Sequence, residues 1–532
     1  MRELYKYEKY SDTIQGTRWA EQKEIEAEAT ALDLEREDCE VAGMPLISDG
    51  QTVYVDGEDS HSIIFGATGS KKSRLFAMPL TNICIKAGES FIAMDPKGEI
   101  YNETSGMAEK KGYKIIVLNF RDFTMGDCWN PLGIPFKLWE GNQEEAAINM
   151  INDFLNCLSG PVKMKGDPYW ESMAKTYLLG CALILLKNGY YEEFHLKNLT
   201  LLSSANSIRH LVKMLSSYEE GCLEWRNLNP TINAPEKTRG SILSMVYGML
   251  SAFNSNEQLS ENLSVSTFDI ADFSAQKTAV YLIVPDEKTT YHFLASVFVK
   301  QVYEVMIGEA QKCADRKIPI RLNFILDEFC NMPTIADMPS MITAARSRNM
   351  RFFLFVQGQK QLVSKYGEDA NTIKGNCDNW FFLNSREMEL LKEISDLCGT
   401  RSVNGMQMPL ISVSQLQRLR KERGECLILY HRNYPFISQL ADISEYHNFG
   451  VEATVPMRKM TEMKPCRMIS LTSFADFVGS KSGSRWRELS SQERAGMERE
   501  CYYSDPREEQ LEKIRQLIEE KKRRRVTETA DN

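Results

Sequence analysis

The stretch from Ser62 to Arg74 constrains this chain most, because its order of residues is typical of a phosphate-binding loop. The residues Ser-Ile-Ile-Phe predict a short β-strand that ends at Gly66. The polar turn Ala-Thr-Gly-Ser-Lys-Lys-Ser follows, and the apolar residues after Arg74 predict a helix. A strand, a glycine-containing loop and a helix in this order turn backbone N–H groups and a helix N-terminus toward bound phosphate.

This loop supplies candidate ligands for ATP and Mg²⁺. The Lys72 ammonium is expected to reach the terminal phosphates, and the Ser73 hydroxyl is expected to bind Mg²⁺. An alternative interpretation is a surface turn rich in Gly, Ser and Lys that binds nothing. The predicted cofactor-binding residues are Gly66, Thr68, Gly69, Ser70, Lys71, Lys72, Ser73 and Arg74.

Lys71 departs from the pattern of such loops, G-x-x-x-x-G-K-[ST], which has glycine at this position. The last glycine often has a positive φ, where another residue costs about 1–2 kcal/mol. A fold can absorb that cost, and a second lysine adds positive charge beside the phosphates. The departure therefore leaves nucleotide binding expected and puts the rate of hydrolysis in question.

A second informative stretch, Arg321 to Glu328, is an apolar strand that ends in Asp-Glu. Opposite a phosphate-binding loop, Asp327 is expected to hold Mg²⁺ through water. Glu328 is expected to take a proton from the attacking water. The Asp-Glu pair alone is common, but together with the loop it predicts a nucleotide hydrolase.

Two further residues are candidates for the same chemistry. Gln357 follows the apolar strand 351–356, where it can sense the γ-phosphate or orient the water. Arg346 or Arg348, at the end of a predicted helix, can neutralise transition-state charge on a neighbouring subunit's nucleotide. A solvated helix end is the alternative interpretation of these two arginines.

Composition narrows the classes of protein that fit. A chain of 532 residues with 43% hydrophobic and 26% charged residues predicts two or three globular domains. The net charge of −9 does not by itself indicate a nucleic-acid partner, so a surface that binds nucleic acid must be a local basic patch or channel. The thirteen cysteines and six histidines show no metal-ligand spacing, so we expect reduced thiols and no zinc site. The most apolar helical run, 177–186, is too short to span a bilayer.

Short apolar runs separated by helices predict an α/β fold with a doubly wound, mostly parallel sheet. Ligands of such sheets lie at the carboxyl ends of the strands, where Asp95 is also placed. The alternative interpretation of Asp95 is a structural role in a turn or as a helix cap. The predicted domains are an N-terminal segment with a β-ribbon (1–57), a nucleotide-binding domain in two parts (58–139 and 236–450), an all-α insertion (140–235) and a charged C-terminal extension (451–532).

The C-terminal extension carries two features of its own. Leu511, Ile514, Leu517 and Ile518 predict a short amphipathic helix, and the run 521–525 is basic. The basic run can contact nucleic acid or anionic lipid, although a solvated tail is the commoner outcome.

The chain resembles the coupling proteins of type IV secretion and conjugation systems, the TraG-like DNA-transfer ATPases. The resemblance covers roughly residues 15–450 and matches them in order and spacing. The segments that carry it are 66–73, Met94-Asp95-Pro96-Lys97-Gly98-Glu99, Trp129-Asn130-Pro131-Leu132, Asp167-Pro168-Tyr169-Trp170, Leu326-Asp327-Glu328-Phe329, and Gln357 with Tyr366-Gly367.

This resemblance implies a RecA-like P-loop motor domain interrupted by an all-α domain. It implies a homo-hexamer at the cytoplasmic face of the bacterial plasma membrane that recruits relaxase-bound DNA and uses ATP to pass it to the secretion channel. Lys72, Ser73, Asp327, Glu328, Gln357 and Arg346 take the Walker A, Walker B, sensor and arginine-finger roles by position. Many members begin with transmembrane helices, so we expect membrane contact through a partner or a missing anchor.

Two rival functions remain open. A chromosome-type duplex DNA pump of the FtsK/HerA kind is disfavoured by the helical insertion and by the segment 129–132. A nucleotide-binding adaptor that docks substrates with little hydrolysis is favoured by Lys71 alone.

Overall fold

The computed structural model describes residues 16–158, 167–403, 406–460 and 466–480. They form two compact units, divided at Trp129/Asn130 and at Val265/Ser266, and residues 466–480 belong to the second unit. The predicted amphipathic helix and basic run at the C-terminus lie outside the described residues, as do residues 1–15.

The first unit begins with a helix and a small antiparallel sheet. Helix α1 (Gln22–Glu28) precedes β1 (Thr30–Asp33), β2 (Met44–Ser48) and β3 (Thr52–Asp56), which pair in the order β1-β3-β2. The sequence predicted the β2–β3 ribbon and not the third strand. Strand β1 is held by its ladder with β3, and only Leu32 of its four residues is buried.

The elements of the large sheet that precede the second unit match the predicted apolar runs. Most of these strands are buried along their whole length, which explains why their sequences are apolar without alternation. The strands and helices of this part are β4 (Ser62–Gly66), α2 (Met78–Ala87), β5 (Ser90–Met94), α3 (Glu99–Lys110) and β6 (Lys114–Asn119).

The second unit is helical throughout the residues described for it. Helix α6 packs against α5, α7, α9 and α10 and buries Tyr177, Leu183 and Leu186. Its helices are α4 (Gly133–Glu140), α5 (Glu144–Leu158), α6 (Pro168–Asn188), α7 (Leu196–Ser203), α8 (Ile208–Leu215), α9 (Leu223–Ile232), α10 (Glu236–Met249), α11 (Ser251–Asn254) and α12 (Glu257–Asn262).

The chain then returns to the first unit and completes the large sheet. Its elements here are β7 (Thr278–Ile283), α13 (His292–Lys312), β8 (Leu322–Leu326), α14 (Met338–Ala345), β9 (Met350–Val356), α15 (Gln359–Tyr366), α16 (Asp369–Gly375), β10 (Asn379–Asn384), α17 (Met388–Leu397), β11 (Thr400–Val403), β12 (Met406–Pro409), α18 (Val413–Leu416), β13 (Glu425–Tyr430) and β14 (Phe436–Gln439). Strands β11 and β12 form a separate hairpin, and α19 (Leu471–Gly479) belongs to the second unit.

The large sheet has nine strands in the order β14-β13-β10-β4-β9-β8-β5-β7-β6. The seven strands from β10 to β6 pair in parallel, and β13 and β14 add an antiparallel edge. The prediction of an α/β fold with a mostly parallel sheet is confirmed. Strands β4, β5 and β6 pair with β7 to β10, which all come from the chain after residue 277, and not with one another.

Across the described residues, no helix combines the length and the apolar character that crossing a membrane requires.

Candidate functional site

The central strand β4 delivers the loop 67–72 to the carboxyl edge of the sheet, between β9 and β10. Gly69 and Lys71 have φ values of +76° and +70°, and the Ser70 N–H donates to the carbonyl of Ala67 at 3.0 Å. The helix after the loop opens with a turn of the wider π type, Ser73–Ala77, before α2 continues it. The predicted order of strand, loop and helix is present.

Lys72 is buried at the base of this loop. Its Nζ donates to the Gly66 carbonyl at 2.7 Å and lies 3.6 Å from Glu328 Oε1. The ammonium therefore faces both the loop and the carboxylate at the end of β8. A lysine at this place is held where a phosphate chain cradled by the loop would end.

Ser73 and Asp327 form an oxygen pair at the mouth of the site. The Ser73 hydroxyl donates to Asp327 Oδ2 at 2.6 Å, and the Glu328 N–H donates to Asp327 Oδ1 at 2.9 Å. Burial raises the pKa of Asp327, although the Ser73 hydroxyl and the Lys72 charge oppose that shift. Carboxylate and hydroxyl oxygens are the ligands that Mg²⁺ prefers, so the pair fits a magnesium site.

Glu328 follows β8, and Gln357 follows β9, the strand that lies between β8 and β4. Gln357 Nε2 donates to Glu328 Oε2 at 2.7 Å. Glu328 holds a φ of +51°, an uncommon conformation for a non-glycine residue that costs roughly 1–2 kcal/mol. Strain of this kind clusters at functional sites, and here it fixes the carboxylate between Lys72 and Gln357.

Asp95, at the end of β5, lies on the other side of Asp327. Burial raises its pKa to about 6, and the nearby Asp327 charge adds to the shift, while backbone N–H groups of α3 oppose it. One of these, the Tyr101 N–H, donates to Asp95 Oδ2 at 2.8 Å. Asp95 is thus both a cap of α3 and a wall of the site, so the two interpretations of the sequence are compatible.

These groups surround one cavity of about 320 Å³. Thr68, Arg74 and the loop between them form one side of it, and Asp95, Asp327 and Glu328 form the other. The Ser70 hydroxyl is buried in the loop without a hydrogen-bond partner. A buried hydroxyl that lacks a partner fits a loop built to receive a phosphate oxygen.

Asp442 and Asn384 hold the loop and were missed by the sequence reasoning. Asp442 follows β14 and receives hydrogen bonds from Lys71 Nζ at 3.2 Å and from Arg74 Nε at 3.0 Å. Although burial alone would raise the pKa of Asp442, its hydrogen bonds with Arg74, Ser444 and Lys71 hold that pKa well below the usual range. Asn384 Oδ1 accepts the Ala67 N–H at 2.9 Å.

No local sequence signal marks either of these residues, because both lie more than 300 residues from the loop. Lys71, Arg74 and Asp442 are called the loop clasp below.

Arg346 is not brought to this site. It begins a helical turn that precedes β9, whereas Gln357 follows β9. Because β4 and β9 are parallel, Arg346 lies at the opposite edge of the sheet from the loop of its own chain. Its Nη1 contacts Asp378 Oδ2 at 2.6 Å.

Most of the chain matches one protein family. Residues 18–418 match the model of the family described as "Type IV secretory system Conjugative DNA transfer". This chain belongs to that family. The family predicted from the sequence is therefore confirmed.

Individual relatives are distant. The type IV secretion system-coupling protein VirD4 of Bartonella quintana (strain Toulouse) is 22% identical over 379 residues, which are 66% of this chain and 55% of that protein. The chain therefore spans about half the length of the curated relative that it matches.

Solved structures of the conjugative coupling protein TrwB share the fold. Unbound TrwBdeltaN70 matches with a TM-score of 0.55 at 17% identity, over 82% of this chain and 94% of that one. TrwB in complex with the non-hydrolysable ATP analogue ADPNP matches at 0.54 and 15% identity, over 88% and 99%. TrwB in complex with ADP and Mg²⁺ matches at 0.52 and 15% identity, over 87% and 100%. At such identities the likeness establishes the fold alone, a RecA-like P-loop fold.

Proposed function

We propose that this chain is the coupling ATPase of a conjugative or type IV secretion system, which uses Mg²⁺-dependent ATP hydrolysis to pass DNA to the secretion channel. One observation carries the proposal. In a chain of the conjugative DNA transfer family, the carboxyl edge of the sheet brings Lys72, Ser73, Asp327 and Glu328 around one cavity, and Gln357 donates to Glu328.

The residues present fit a magnesium nucleotide. Ser73 Oγ and the Asp327 carboxylate would hold Mg²⁺, which supplies positive charge against the phosphate oxygens when it is bound. The loop N–H groups and the unpartnered Ser70 hydroxyl would receive phosphate oxygens. Lys72 would exchange the Gly66 carbonyl for a terminal phosphate oxygen, because that anion is a stronger acceptor for an ammonium than a neutral carbonyl.

Glu328 is the proposed proton acceptor. Gln357 donates to one of its carboxylate oxygens and leaves the other facing Lys72. With Lys72 turned to phosphate, the free oxygen can accept a proton from water. Gln357 then keeps the carboxylate in its strained conformation and orients that water.

The assembly and partners are part of the same proposal. Because Arg346 lies at the far edge of the sheet from its own loop, it serves a neighbouring subunit, and the site is complete in a homo-hexamer. We propose that the relaxase with its DNA and the secretion channel are the partners, at the cytoplasmic face of the plasma membrane. The helical unit at 130–265 would be the all-α domain inserted into the motor.

A second candidate function is a nucleotide-binding docking adaptor with little hydrolysis. Lys71 favours it, because a side chain stands at φ +70° where related loops have glycine. In this case the loop binds nucleotide but turns over slowly. The two candidates differ in turnover and not in nucleotide binding.

The test is Mg²⁺-dependent ATP hydrolysis by the purified full chain, with and without single-stranded and double-stranded DNA. Glu328→Gln keeps the size of the side chain and removes the base, and Glu389→Gln on the exposed face of α17 is the matched control. DNA-stimulated turnover that is lost only in Glu328→Gln supports the motor. Tight Mg·ATP binding without turnover, in a preparation shown to be oligomeric, supports the adaptor.

A further inference from the structure

A second cleft of about 950 Å³ opens at the same edge of the sheet as the nucleotide cavity. Its walls are the loops after β9 and β10 and the segment 417–422. Ala67 and Thr68, at the start of the phosphate-binding loop, form its inner end, so Thr68 borders both cavities.

The cleft is lined by three exposed cations, Lys360, Arg386 and Lys421. Within the part of the chain that the structure describes, none of the three has an ion-pair partner. Among the other exposed cations of this unit, some are paired, such as Lys110 with Glu452, and others, such as Lys97 and Lys392, lack an ion pair among the described residues. What distinguishes Lys360, Arg386 and Lys421 is that they line one cleft of a chain whose net charge is −9, and such a group of unpaired cations suits an anionic ligand.

Neighbouring charges reinforce this character. Arg418, Arg420 and Arg423 are exposed in the same short segment and also lack ion pairs among the described residues. Of the two carboxylates that line the cleft, Glu387 is turned onto the backbone at the start of α15, where it accepts the Lys360 N–H at 3.2 Å. Glu422 is then the one carboxylate of the lining that faces these cations.

A chain of amide side chains runs from the cleft to the candidate base. Gln361 Nε2 donates to Gln357 Oε1 at 3.4 Å, and Gln357 Nε2 donates to Glu328 Oε2 at 2.7 Å. Because a carboxylate only accepts, the orientation of both amides is fixed from Glu328 outward. The chain must end at Gln361 Oε1, and that oxygen is buried without a hydrogen-bond partner.

A ligand with a hydrogen-bond donor would satisfy Gln361 Oε1, the acceptor at the end of this chain of amides. An unpaired nucleobase carries N–H groups on its edge, and the strand that carries it brings phosphates at regular spacing. A free carboxylate has no donor, and the hydroxyl of an inorganic phosphate lies on the same small ion that the cations would hold. A nucleic-acid strand with unpaired bases satisfies both parts of the cleft.

We propose that this cleft binds single-stranded nucleic acid, with phosphates on Lys360, Arg386 and Lys421 and a base edge on Gln361, and that binding is relayed through Gln357 to Glu328. The inference rests on the proposed function, because it makes the strand being transported the activator of the hydrolytic site. When Gln361 Oε1 accepts a hydrogen bond from the base, the Gln361 amide shifts. The hydrogen bond that Gln361 donates to Gln357 then changes, and so does the hydrogen bond from Gln357 to the Glu328 carboxylate.

The first experiment measures binding of a fluorescein-labelled single-stranded oligonucleotide of mixed sequence to the full chain, by anisotropy at several salt concentrations. The triple variant Lys360→Ala/Arg386→Ala/Lys421→Ala should lose about tenfold or more in affinity. Its plot of log affinity against log salt should be shallower by about 2, since each phosphate contact contributes roughly 0.7. The control triple Lys110→Ala/Lys312→Ala/Lys317→Ala removes the same charge from solvent-accessible, ion-paired lysines and should bind as the unmodified chain does.

The second experiment tests the relay. Gln361→Met keeps the length of the side chain but removes the amide, so the oligonucleotide should still bind on the cations. The ratio of DNA-stimulated to basal ATP hydrolysis should then fall toward 1. Binding of a fluorescent ADP analogue, unchanged in each variant, shows that the protein is folded.

Two results would overturn the inference while leaving the proposed function intact. One is an ATPase whose cleft triple binds and responds to the oligonucleotide like the control triple. The other is a preference for duplex over single strands. If the unmodified oligomer binds Mg·ATP but never hydrolyses it, the proposed motor function fails. The anisotropy titration would still show whether the cleft binds single-stranded nucleic acid.

Discussion

Replacing Asp442 with alanine tests whether the loop clasp stabilises Lys71 in its left-handed conformation. Lys71 at φ +70° costs about 1–2 kcal/mol relative to glycine. Asp442 contacts both Lys71 and Arg74, whose side chains are 36% and 45% exposed. Ion pairs of such exposure contribute about 0.2–1 kcal/mol each, so the clasp offsets roughly 1 kcal/mol of the cost.

Without the clasp the loop leaves its binding conformation more often, and nucleotide affinity should fall by the same free energy. A loss of about 1 kcal/mol corresponds to about fivefold in Kd. The assay is a titration of a fluorescent ADP analogue in the presence of Mg²⁺. Asp442→Asn keeps an acceptor for Ser444 and removes the charge, so it separates the ion pairs from the local turn.

The decisive comparison is a double-mutant cycle with Lys71→Gly. A glycine at 71 carries no such strain, so Asp442→Ala in that background should weaken binding by less than about twofold. Lys71→Gly alone should preserve or raise ATPase activity. An equal loss of affinity in both backgrounds would show that Asp442 does not act through Lys71.

Three further results are expected. Lys72→Ala should abolish binding of a fluorescent ATP analogue, because the loop loses the cation that meets the terminal phosphates; affinity equal to that of the unmodified chain would refute this. The native Asp95 carboxyl, whose pKa is about 6, keeps its proton between about pH 4 and 6 while the unfolded chain releases it. The free energy of unfolding should therefore decrease by about 2–3 kcal/mol as the pH rises through that window. When Asp95→Asn is unfolded with urea at several pH values, its free energy of unfolding should not show this decrease with pH. Glu89→Leu should destabilise the chain by about 3–5 kcal/mol, since it leaves the buried guanidinium of Arg351 without the carboxylate that it contacts at 2.8 Å. The double variant with Arg351→Met should recover part of that loss in the same unfolding assay, and simple additivity would contradict the reasoning.

The sequence was most informative where chemistry is local. The phosphate-binding loop, the Asp-Glu pair after β8 and Gln357 after β9 each follow an apolar run that is buried on both faces, so their strands and their common edge could be predicted. The positive φ of Lys71 could also be anticipated, because the position is one that glycine normally fills.

What the sequence could not show depends on distant pairing. Asn384 and Asp442 reach the loop only because β10 lies beside β4 and β14 lies near it on the antiparallel edge. The four residues of β1 have no pattern of their own and become a strand through their ladder with β3. The cleft likewise brings together four separate parts of the chain.

The pairing of the large sheet also governs how this protein can be made. Strands β4, β5 and β6 are synthesised first, yet each pairs with strands that are translated only after the helical unit. While the ribosome reads the intervening residues, three apolar strands have exposed edges that can pair with other chains. The helices from α4 to α12, which pack on one another within residues 130–265, can fold during that interval, and α19 packs on α8 only later. Nascent chains stalled before residue 278 should therefore need a chaperone to remain soluble, whereas chains released after β10 have every partner that the loop-bearing strand requires.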